Sequence, residues 1–194
     1  MTRQEIRRMI RQAREDLGAA GRRVRDERIR ERLYADPAWK AAGIMITYLS
    51  WEYETDTWMI IRDAMAEGKT VYAPRITDRQ AGRMEFYLLE EELRTASGPY
   101  GIPEPVGDRL LPEDCADQHT LFLMPGVAFS ENRDRIGYGG GFYDRYLERR
   151  TDLMNRVALC YDCQVTDAVT KVPLLPTDIR PDRIITETRT IGSW

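Results

Sequence analysis

Histidine, cysteine and lysine are scarce in this chain of 194 residues, which has one histidine, three cysteines, and three lysines among its 29 basic residues. An odd number of cysteines argues against a secreted disulfide scaffold and favours a reducing compartment. Cys160 and Cys163 have a Cys-x-x-Cys spacing, but a redox motif of that kind normally opens a helix, whereas this pair follows an apolar run typical of a strand. As further zinc ligands only Cys115 and His119 remain, both well upstream. We therefore interpret the spacing as coincidental and expect His119 on the surface.

The chain also lacks an apolar run long enough to cross a bilayer, and its first segment has no apolar middle of the signal-peptide kind. We expect a soluble, cytoplasmic protein without a membrane partner. The length suits one sizeable core, which predicts a single domain over residues 1–194. Residues 1–32 hold 11 arginines against six acidic residues. Because charges of both signs are spread around a helical pattern, we interpret them as a solvated helix face and expect no nucleic-acid partner.

The order of helical and strand patterns predicts an α/β fold. Residues 2–33 read as two amphipathic helices with a break at Gly18 and Gly21. A strand, a helix and a second strand follow with short connections, a unit that requires a crossover and gives parallel strands. This unit is a strand over 43–49, a helix over 55–67 ended by Gly68, and a strand over 69–73 closed by Pro74. Beyond it we predict an edge strand over 83–89, an irregular connection marked by prolines, strands over 120–124, 156–161 and 183–186, and a helix over 142–150.

A glycine run between a buried strand and a helix is the first candidate for a site. Residues 125–141 form a long loop with four glycines in its last five positions, and Asp144 lies in the first turn of the helix behind it. Glycines leave backbone amides uncovered, and a helix start directs free N–H groups at an anion. The run matches neither the Walker A motif nor the dinucleotide pattern, whose last glycine is replaced by Phe142. A plain strand-to-helix turn is an equal alternative on composition, and Arg135 and Asp144 at its two ends favour a phosphate site.

Carboxylates at other points of the chain extend this candidate site. Asp144 is either a helix-dipole partner or a ligand for Mg²⁺, with Asp178 as a second contributor. Glu54 follows the first predicted strand, where Thr55 is a candidate cap of the next helix. Because ligands bind outside the carboxyl ends of parallel strands, we expect residues 50–57 to face the same crevice as the glycine run. There a carboxylate can accept paired N–H donors from a heterocycle. Several nearby aromatic side chains are candidates to stack on flat rings or to anchor the core: Tyr100, Phe129, Tyr138, Phe142 and Tyr143.

These residues resemble 5-formyltetrahydrofolate cyclo-ligases, also called methenyltetrahydrofolate synthetases, almost from end to end. The most specific match is Met124-Pro-Gly-Val-Ala-Phe129 followed by Arg135-Ile-Gly-Tyr-Gly-Gly-Gly-Phe-Tyr-Asp144, and residues 50–57 are similar to an acid-and-threonine segment of the family. The resemblance implies a three-layer α/β fold with a mostly parallel sheet, an architecture like that of sugar-phosphate isomerases and CoA transferases, with the helical pair at its N-terminus. It implies that ATP and 5-formyltetrahydrofolate give 5,10-methenyltetrahydrofolate, ADP and phosphate, with Mg²⁺ required.

The resemblance also implies roles for individual residues. Arg135 and Asp144 would take part in catalysis, and Asp144 and Asp178 would hold Mg²⁺. The residues implied to contact ATP are Arg3, Arg7, Arg135, Gly137, Tyr138, Gly139, Gly140, Gly141, Phe142 and Tyr143. Those implied to contact the folate are Leu49, Glu54, Tyr100, Tyr138 and Phe142. Arg3 stands where the family usually has lysine, and Phe142 replaces the commoner tyrosine.

Two other functions stay open at this point. A non-catalytic nucleotide- or folate-binding relative would keep the fold and lose turnover, and a sugar-phosphate isomerase or acyl-carrier transferase would rest on fold analogy alone. Small-molecule substrates and a monomer or small homo-oligomer are expected in the leading interpretation.

Overall fold

The computed structural model describes residues 1–113, 115, 119–150 and 155–192. Its α-helices are α1 (Arg3–Asp16), α2 (Gly18–Ala35), α3 (Pro37–Ala41), α4 (Thr57–Ala66) and α5 (Phe142–Arg149). Its first six strands are β1 (Ile44–Ile46), β2 (Thr70–Asp78), β3 (Arg83–Leu88), β4 (Thr95–Ser97), β5 (Pro103–Pro105) and β6 (Thr120–Met124). The others are β7 (Ala128–Phe129), β8 (Arg135–Ile136), β9 (Arg156–Leu159), β10 (Arg183–Ile185) and β11 (Thr190–Ile191).

Within the described residues, seven strands form one sheet in the order β11-β10-β9-β6-β1-β2-β3. The four inner pairs, from β10 to β2, are parallel, and the two outermost pairs are antiparallel. Helix α4 makes the crossover from β1 to β2, because parallel neighbours cannot be joined by a tight turn. The prediction of an α/β fold with a mostly parallel sheet is confirmed.

Helices cover both faces of this sheet. Successive residues of a strand point to opposite faces, so Met45 packs with α2, α3 and α4 on one side while its neighbour Ile46 packs towards α5 on the other. This arrangement gives the three layers of the predicted fold. The predicted N-terminal helical pair is also confirmed, with its break at Leu17 and Gly18, whereas Gly21, the other residue of the predicted break, lies inside α2. Helix α1 stands apart from the two cores and packs its Ile6 and Ile10 on the β7-β8 hairpin.

Two predicted strand boundaries were wrong. Strand β1 ends at Ile46 rather than Leu49, and the Tyr48 carbonyl within the predicted strand accepts a hydrogen bond from the Thr57 hydroxyl at 2.8 Å, which ties this segment to the start of α4. Strand β2 continues through Pro74 to Asp78. Its pairing with β1 stops at Tyr72, so that side of the strand has no neighbour at the proline, where a missing N–H costs no ladder bond.

Three other local predictions need correction. Helix α4 is capped by Asp56, whose carboxylate accepts the N–H of Trp58 at 2.9 Å, and not by Thr55, which is buried. The loop over 125–141 contains the β7-β8 hairpin, and the proline-marked connection contains the β4-β5 hairpin. In both hairpins the paired segments are too short to show the alternation of apolar and polar residues that predicts a strand.

The cysteines and the histidine lie where the sequence predicts. Cys160 is buried at the end of β9, and burial raises the pKa of its thiol, which makes it less reactive. Cys160 and Cys163 are free thiols, and His119 is exposed. Among the described residues, no helix is both long and apolar enough to span a bilayer.

We predict that Asp26→Asn increases thermal stability near neutral pH. Asp26 is 8% exposed and accepts hydrogen bonds from the Tyr161 hydroxyl at 2.9 Å and the Asp56 N–H at 3.2 Å. Burial raises the pKa of this carboxyl to about 6, from 3.8. The protonated form therefore favours folding below about pH 4, and this contribution, on the order of 3 kcal/mol, is lost as the pH rises through about 6.

The measurement is thermal unfolding between about pH 4 and pH 8. Asparagine keeps the accepting oxygen without the buried charge, so the melting temperature of Asp26→Asn should exceed that of the wild type most at the alkaline end. Glu27→Gln, at the exposed neighbouring position of α2, is the matched control and should leave the pH dependence unchanged. An Asp26→Asn profile parallel to the wild type would contradict the prediction.

Candidate active site

The glycine loop, residues 137–141, lies against α1. Gly139 has φ +104° and Gly141 has φ +67°, conformations that side chains with a Cβ rarely adopt. The guanidinium carbon of Arg7 lies 3.4 Å from where a Cβ at Gly139 would stand, and its Nε donates to the Gly137 carbonyl at 2.7 Å. No carboxylate of the described residues forms an ion pair with Arg7. Its positive charge is thus available to an anion at the loop.

The end of the loop opens helix α5 without a side-chain cap. Gly141 is the N-cap residue and makes no side-chain hydrogen bond. The first-turn N–H groups of α5 therefore have no capping side chain, as an anion site at a helix start requires. On the outer side Arg145 donates to the Gly140 carbonyl and, at 3.0 Å, to the Gly82 carbonyl, which holds the loop to the turn between β2 and β3.

Arg135 and Asp144 form an ion pair under the loop. Arg135 is 4% exposed, and its guanidinium also donates to the carbonyls of Ile179 at 3.2 Å and Pro125 at 3.1 Å. Gly137 needs to be small here, because a Cβ would come within 2.9 Å of an Arg135 nitrogen. The two residues predicted to act in catalysis are thus brought into direct contact.

Arg3 and Asp178 form a second ion pair, at the N-terminus of α1. Both guanidinium nitrogens of Arg3 donate to the Asp178 carboxylate, one of them at 3.2 Å, and Arg3 also donates to the Pro173 carbonyl. Burial raises the pKa of Asp178, but the hydrogen bonds from Arg3 and the Leu175 N–H outweigh it, so the pKa lies below its usual value. The carboxylate is ionised at neutral pH.

The backbone next to Asp178 contacts the carboxylate of Asp144. The N–H of Ile179, next to Asp178 in the chain, donates to Oδ1 of Asp144 at 3.1 Å. The hydrogen bonds of Asp144 end on Oδ1, which leaves Oδ2 for another partner. No group of three or more His, Cys, Asp or Glu side chains assembles in the described ranges. Two carboxylates nevertheless fit Mg²⁺ in a nucleotide site, because that ion is completed by phosphate oxygens and water.

Glu54 stands at the other end of the glycine loop. Its Oε1 accepts the hydroxyl proton of Tyr138, and its Oε2 accepts the N–H of Trp51 at 2.8 Å. Burial raises the pKa of this carboxyl above its usual value. The prediction that residues 50–57 face the same crevice as the loop agrees with this contact. The loop thus contacts Glu54 through Tyr138 and, at Gly141, opens the helix that bears Asp144.

Four of the residues predicted to contact a substrate either lie away from the glycine loop or pack in the core behind it. Leu49 is 2% exposed and belongs to the main core, so its side chain is inside the protein. Phe142 and Tyr143, the first two residues of α5, pack against the core. Tyr100 is 58% exposed in the connection between β4 and β5, where its described contacts are with Arg79. The structure does not bring Tyr100 to the glycine loop.

Arg14 is a site residue that the sequence reasoning missed. It is 5% exposed on α1, and its Nη1 donates to the hydroxyl oxygen of Tyr138 at 3.1 Å. A signal was present, because Arg14 continues the i, i+4 series of Ile6 and Ile10 on the buried face of the helix. A charged residue in an apolar stripe indicates a buried partner.

The fold and the site together define a class of protein. A parallel α/β sheet with a cation-lined glycine loop and paired carboxylates is the architecture of an enzyme that handles phosphate groups. The sequence profile described as the 5-formyltetrahydrofolate cyclo-ligase family matches residues 1–187. The chain belongs to this family, which confirms the predicted resemblance.

Individual relatives agree over nearly the whole chain. The 5-formyltetrahydrofolate cyclo-ligase of Escherichia coli strain K12 is 30% identical over 189 residues, covering 96% of this chain and 100% of the relative. The NMR structure of 5,10-methenyltetrahydrofolate synthetase from Aquifex aeolicus has a TM-score of 0.78 at 25% identity, covering 98% of this chain and 92% of that one. A 5,10-methenyltetrahydrofolate synthetase from Mycoplasma pneumoniae has the same fold, with a TM-score of 0.74 at 21% identity, covering 96% of this chain and 99% of that one.

Proposed function

We propose that this protein is an ATP-dependent 5-formyltetrahydrofolate cyclo-ligase, which converts its folate substrate to 5,10-methenyltetrahydrofolate and releases ADP and phosphate. The observation that carries the proposal is the span of the glycine loop. At Tyr138 the loop contacts Glu54, a carboxylate suited to a heterocycle, and at Gly141 it opens the helix that bears Asp144. Two substrates bound at these ends would meet over the loop. The family membership of the chain supports the same reaction.

The ATP phosphates would bind at the α1 end of the site. Arg7 supplies beside Gly139 a guanidinium that forms no ion pair with any described carboxylate, and the start of α5 supplies backbone N–H groups. Arg3 would turn from Asp178 towards the phosphates, and its planar fork suits two phosphate oxygens. Asp144 and Asp178 would hold Mg²⁺, which when bound neutralises charge on the phosphate oxygens.

The folate would bind at the Glu54 end. Each oxygen of a carboxylate can accept more than one hydrogen bond, so Glu54 retains accepting capacity beyond Tyr138 and Trp51. Two oxygens in one plane match the paired N–H donors of the pterin-like ring. The ring of Tyr138 is 53% exposed and would form a wall of this subsite, with Phe142 behind the loop.

The reaction requires the protein to position the two substrates more than to form covalent bonds with them. The γ-phosphoryl group passes from ATP to the formyl oxygen, with ADP as the leaving group. N10 then attacks the formyl carbon and loses its proton, and the carbon–oxygen bond breaks with departure of phosphate. Protein groups that fix the two substrates and neutralise charge are sufficient for the first step, because phosphoryl transfer leaves a protein little bond-making to do.

A direct assay tests the proposed reaction. Purified protein with 5-formyltetrahydrofolate, ATP and Mg²⁺ should develop the near-ultraviolet absorbance of the methenyl product. Omission of ATP should abolish the rise. No ATP-dependent rise would overturn the assignment, and calorimetric binding of ATP and folate beside a silent assay would favour the non-catalytic alternative.

We predict that Arg7→Met raises the KM for ATP about tenfold or more and leaves the KM for folate within about threefold. Methionine keeps the unbranched apolar part of the side chain but removes the guanidinium beside Gly139 and its charge. Steady-state kinetics with each substrate varied in turn measures both constants. Arg8→Met removes the same charge from an exposed position of α1 and is the matched control. Equal changes in both KM values would contradict a specific role at the phosphates.

The remaining expectations concern the setting of the enzyme. We propose that it acts on these small molecules in the cytoplasm, as a monomer or a small homo-oligomer, with neither nucleic acid nor membrane as a partner. Size-exclusion chromatography with light scattering measures the oligomeric state.

A further inference from the structure

Burial of the Arg14 side chain lowers the stability of the fold, and the packing around it does not explain why a charged residue is there. It lies among the buried residues of α1, in series with Ile6 and Ile10, where an apolar side chain would extend the hydrophobic contact with the β7-β8 hairpin. Its Nε is buried and has no hydrogen-bond partner among the described residues. An unsatisfied buried donor typically costs about 1 to 3 kcal/mol. Such a residue, 5% exposed beside a substrate crevice, indicates a functional constraint.

The contact of Arg14 determines how the Tyr138 hydroxyl can be used. The hydroxyl oxygen accepts a hydrogen bond from Nη1 of Arg14 at 3.1 Å. A guanidinium has no accepting atom, so the single hydroxyl proton cannot point back at Arg14 and is directed to its other neighbour, Oε1 of Glu54. The Trp51 N–H holds the second oxygen of Glu54 at 2.8 Å. Both carboxylate oxygens are therefore anchored, and the plane of the carboxylate is defined.

We infer that Arg14 is a positioning residue for the folate subsite, which orients the Glu54 carboxylate through the hydroxyl of Tyr138. The inference rests on the proposed role of Glu54 in folate binding. It assigns to α1 two separate tasks along one face: Arg3 and Arg7 serve the nucleotide, and Arg14, two turns beyond Arg7, serves the folate.

The charges around Glu54 agree with this assignment. Burial raises the pKa of the Glu54 carboxyl, the charge of Arg14 on α1 lowers it, and Glu52 on its own segment raises it. The phenol groups of Tyr48, Tyr138 and Tyr143 also face Glu54. Removal of Arg14 therefore raises the pKa of Glu54 further, and the carboxylate needed for paired N–H donors is lost at a higher pH.

The experiment compares wild type, Arg14→Met, Arg14→Lys, Tyr138→Phe and the double variant Arg14→Met/Tyr138→Phe in steady-state kinetics. Methionine retains most of the side-chain volume in the buried stripe, and lysine retains the charge. Arg8→Met, exposed on the same helix, is the control. kcat/KM for folate is measured between about pH 5 and pH 9, together with the KM for ATP at about pH 8.

Arg14→Met should lower kcat/KM for folate by about 10- to 100-fold at about pH 8, with the KM for ATP within about threefold of the wild type. Its acidic limb should move to higher pH, and Arg14→Lys should restore the limb towards the wild-type position. The kcat/KM of the double variant for folate should lie no more than about twofold below that of the less active single variant, because both substitutions act through one hydroxyl.

Three results would overturn the inference. The first is a loss of kcat/KM in the double variant equal to the product of the two single losses. The others are equal effects of Arg14→Met on the kinetic constants for folate and ATP, or an acidic limb of its pH profile at the wild-type position. If Arg14→Met does not fold, Tyr138→Phe decides the question, because it removes the hydroxyl through which Arg14 acts, and a normal KM for folate in this variant contradicts the inference. Wild-type turnover tests the proposed reaction separately. If the wild type turns over, Glu54→Gln is impaired and the Arg14 variants are normal, this inference is wrong and the enzyme assignment stands.

Discussion

Asp144→Asn should lower kcat by on the order of 10²- to 10³-fold. The substitution removes the negative charge that we propose holds Mg²⁺ at the ATP phosphates, while the shape of the side chain is kept. Asparagine still has an oxygen for the Ile179 N–H, and Arg135 still donates to two backbone carbonyls, so the local fold should persist. Arg135, however, loses its ionic partner in a site where it is 4% exposed, and some loss of thermal stability is expected as well.

The measurement is turnover at saturating substrates over a range of Mg²⁺ concentrations, with the melting temperature of each variant recorded in parallel. Glu148→Gln, on the exposed face of the same helix, is the matched control for loss of a carboxylate. A folded Asp144→Asn protein with wild-type kcat and Mg²⁺ dependence would exclude Asp144 from the metal site.

Glu54→Gln should lower kcat/KM for the folate by about 100-fold or more, with a small effect on ATP. The amide loses the charge and presents an N–H₂ group where the carboxylate has an acceptor, so paired N–H donors of the substrate meet a donor. The pH dependence carries a second signature. Because burial raises the pKa of Glu54, wild-type kcat/KM should fall on acidification at a pH above that of an ordinary glutamate, and this limb should vanish in Glu54→Gln.

Substrate kinetics from about pH 5 to pH 9 measure both effects. Glu52→Gln is the control, since Glu52 lies two residues away and pairs with Arg11 on the exposed surface. It should stay within about twofold of the wild type at about pH 8. An acidic limb that survives in Glu54→Gln would assign that ionisation to another group.

The predicted roles differ in how directly the structure supports them. Arg135 and Asp144, Arg3 and Asp178, and Glu54 and Tyr138 each form a contact, although the members of a pair are separated in sequence by up to 175 residues. Family resemblance predicted the members without the pairing. For Tyr100 the described contacts lead to Arg79 and away from the loop, so its proposed contact with folate has no geometric support here.

The errors in secondary structure have a common physical cause. Pro74 was expected to close β2, and a proline does end a strand that has neighbours on both sides. Whether it has such neighbours depends on where β1 stops, and the pairing of β1 with β2 ends at Ile46 and Tyr72. Propensity acts within a few residues, whereas these boundaries depend on segments brought together by the fold.

The sequence by itself determined the α/β class, the parallel core, the glycine loop with its flanking Arg135 and Asp144, and the family. Period, turn chemistry and a specific motif are local properties, and they are readable without coordinates. Only the tertiary structure decided that Arg14 contacts the Tyr138 hydroxyl, that Asp178 pairs with Arg3, and that Glu54 is anchored at both oxygens. These features depend on which side chains are desolvated together, and that is a property of the packed chain rather than of any segment of it.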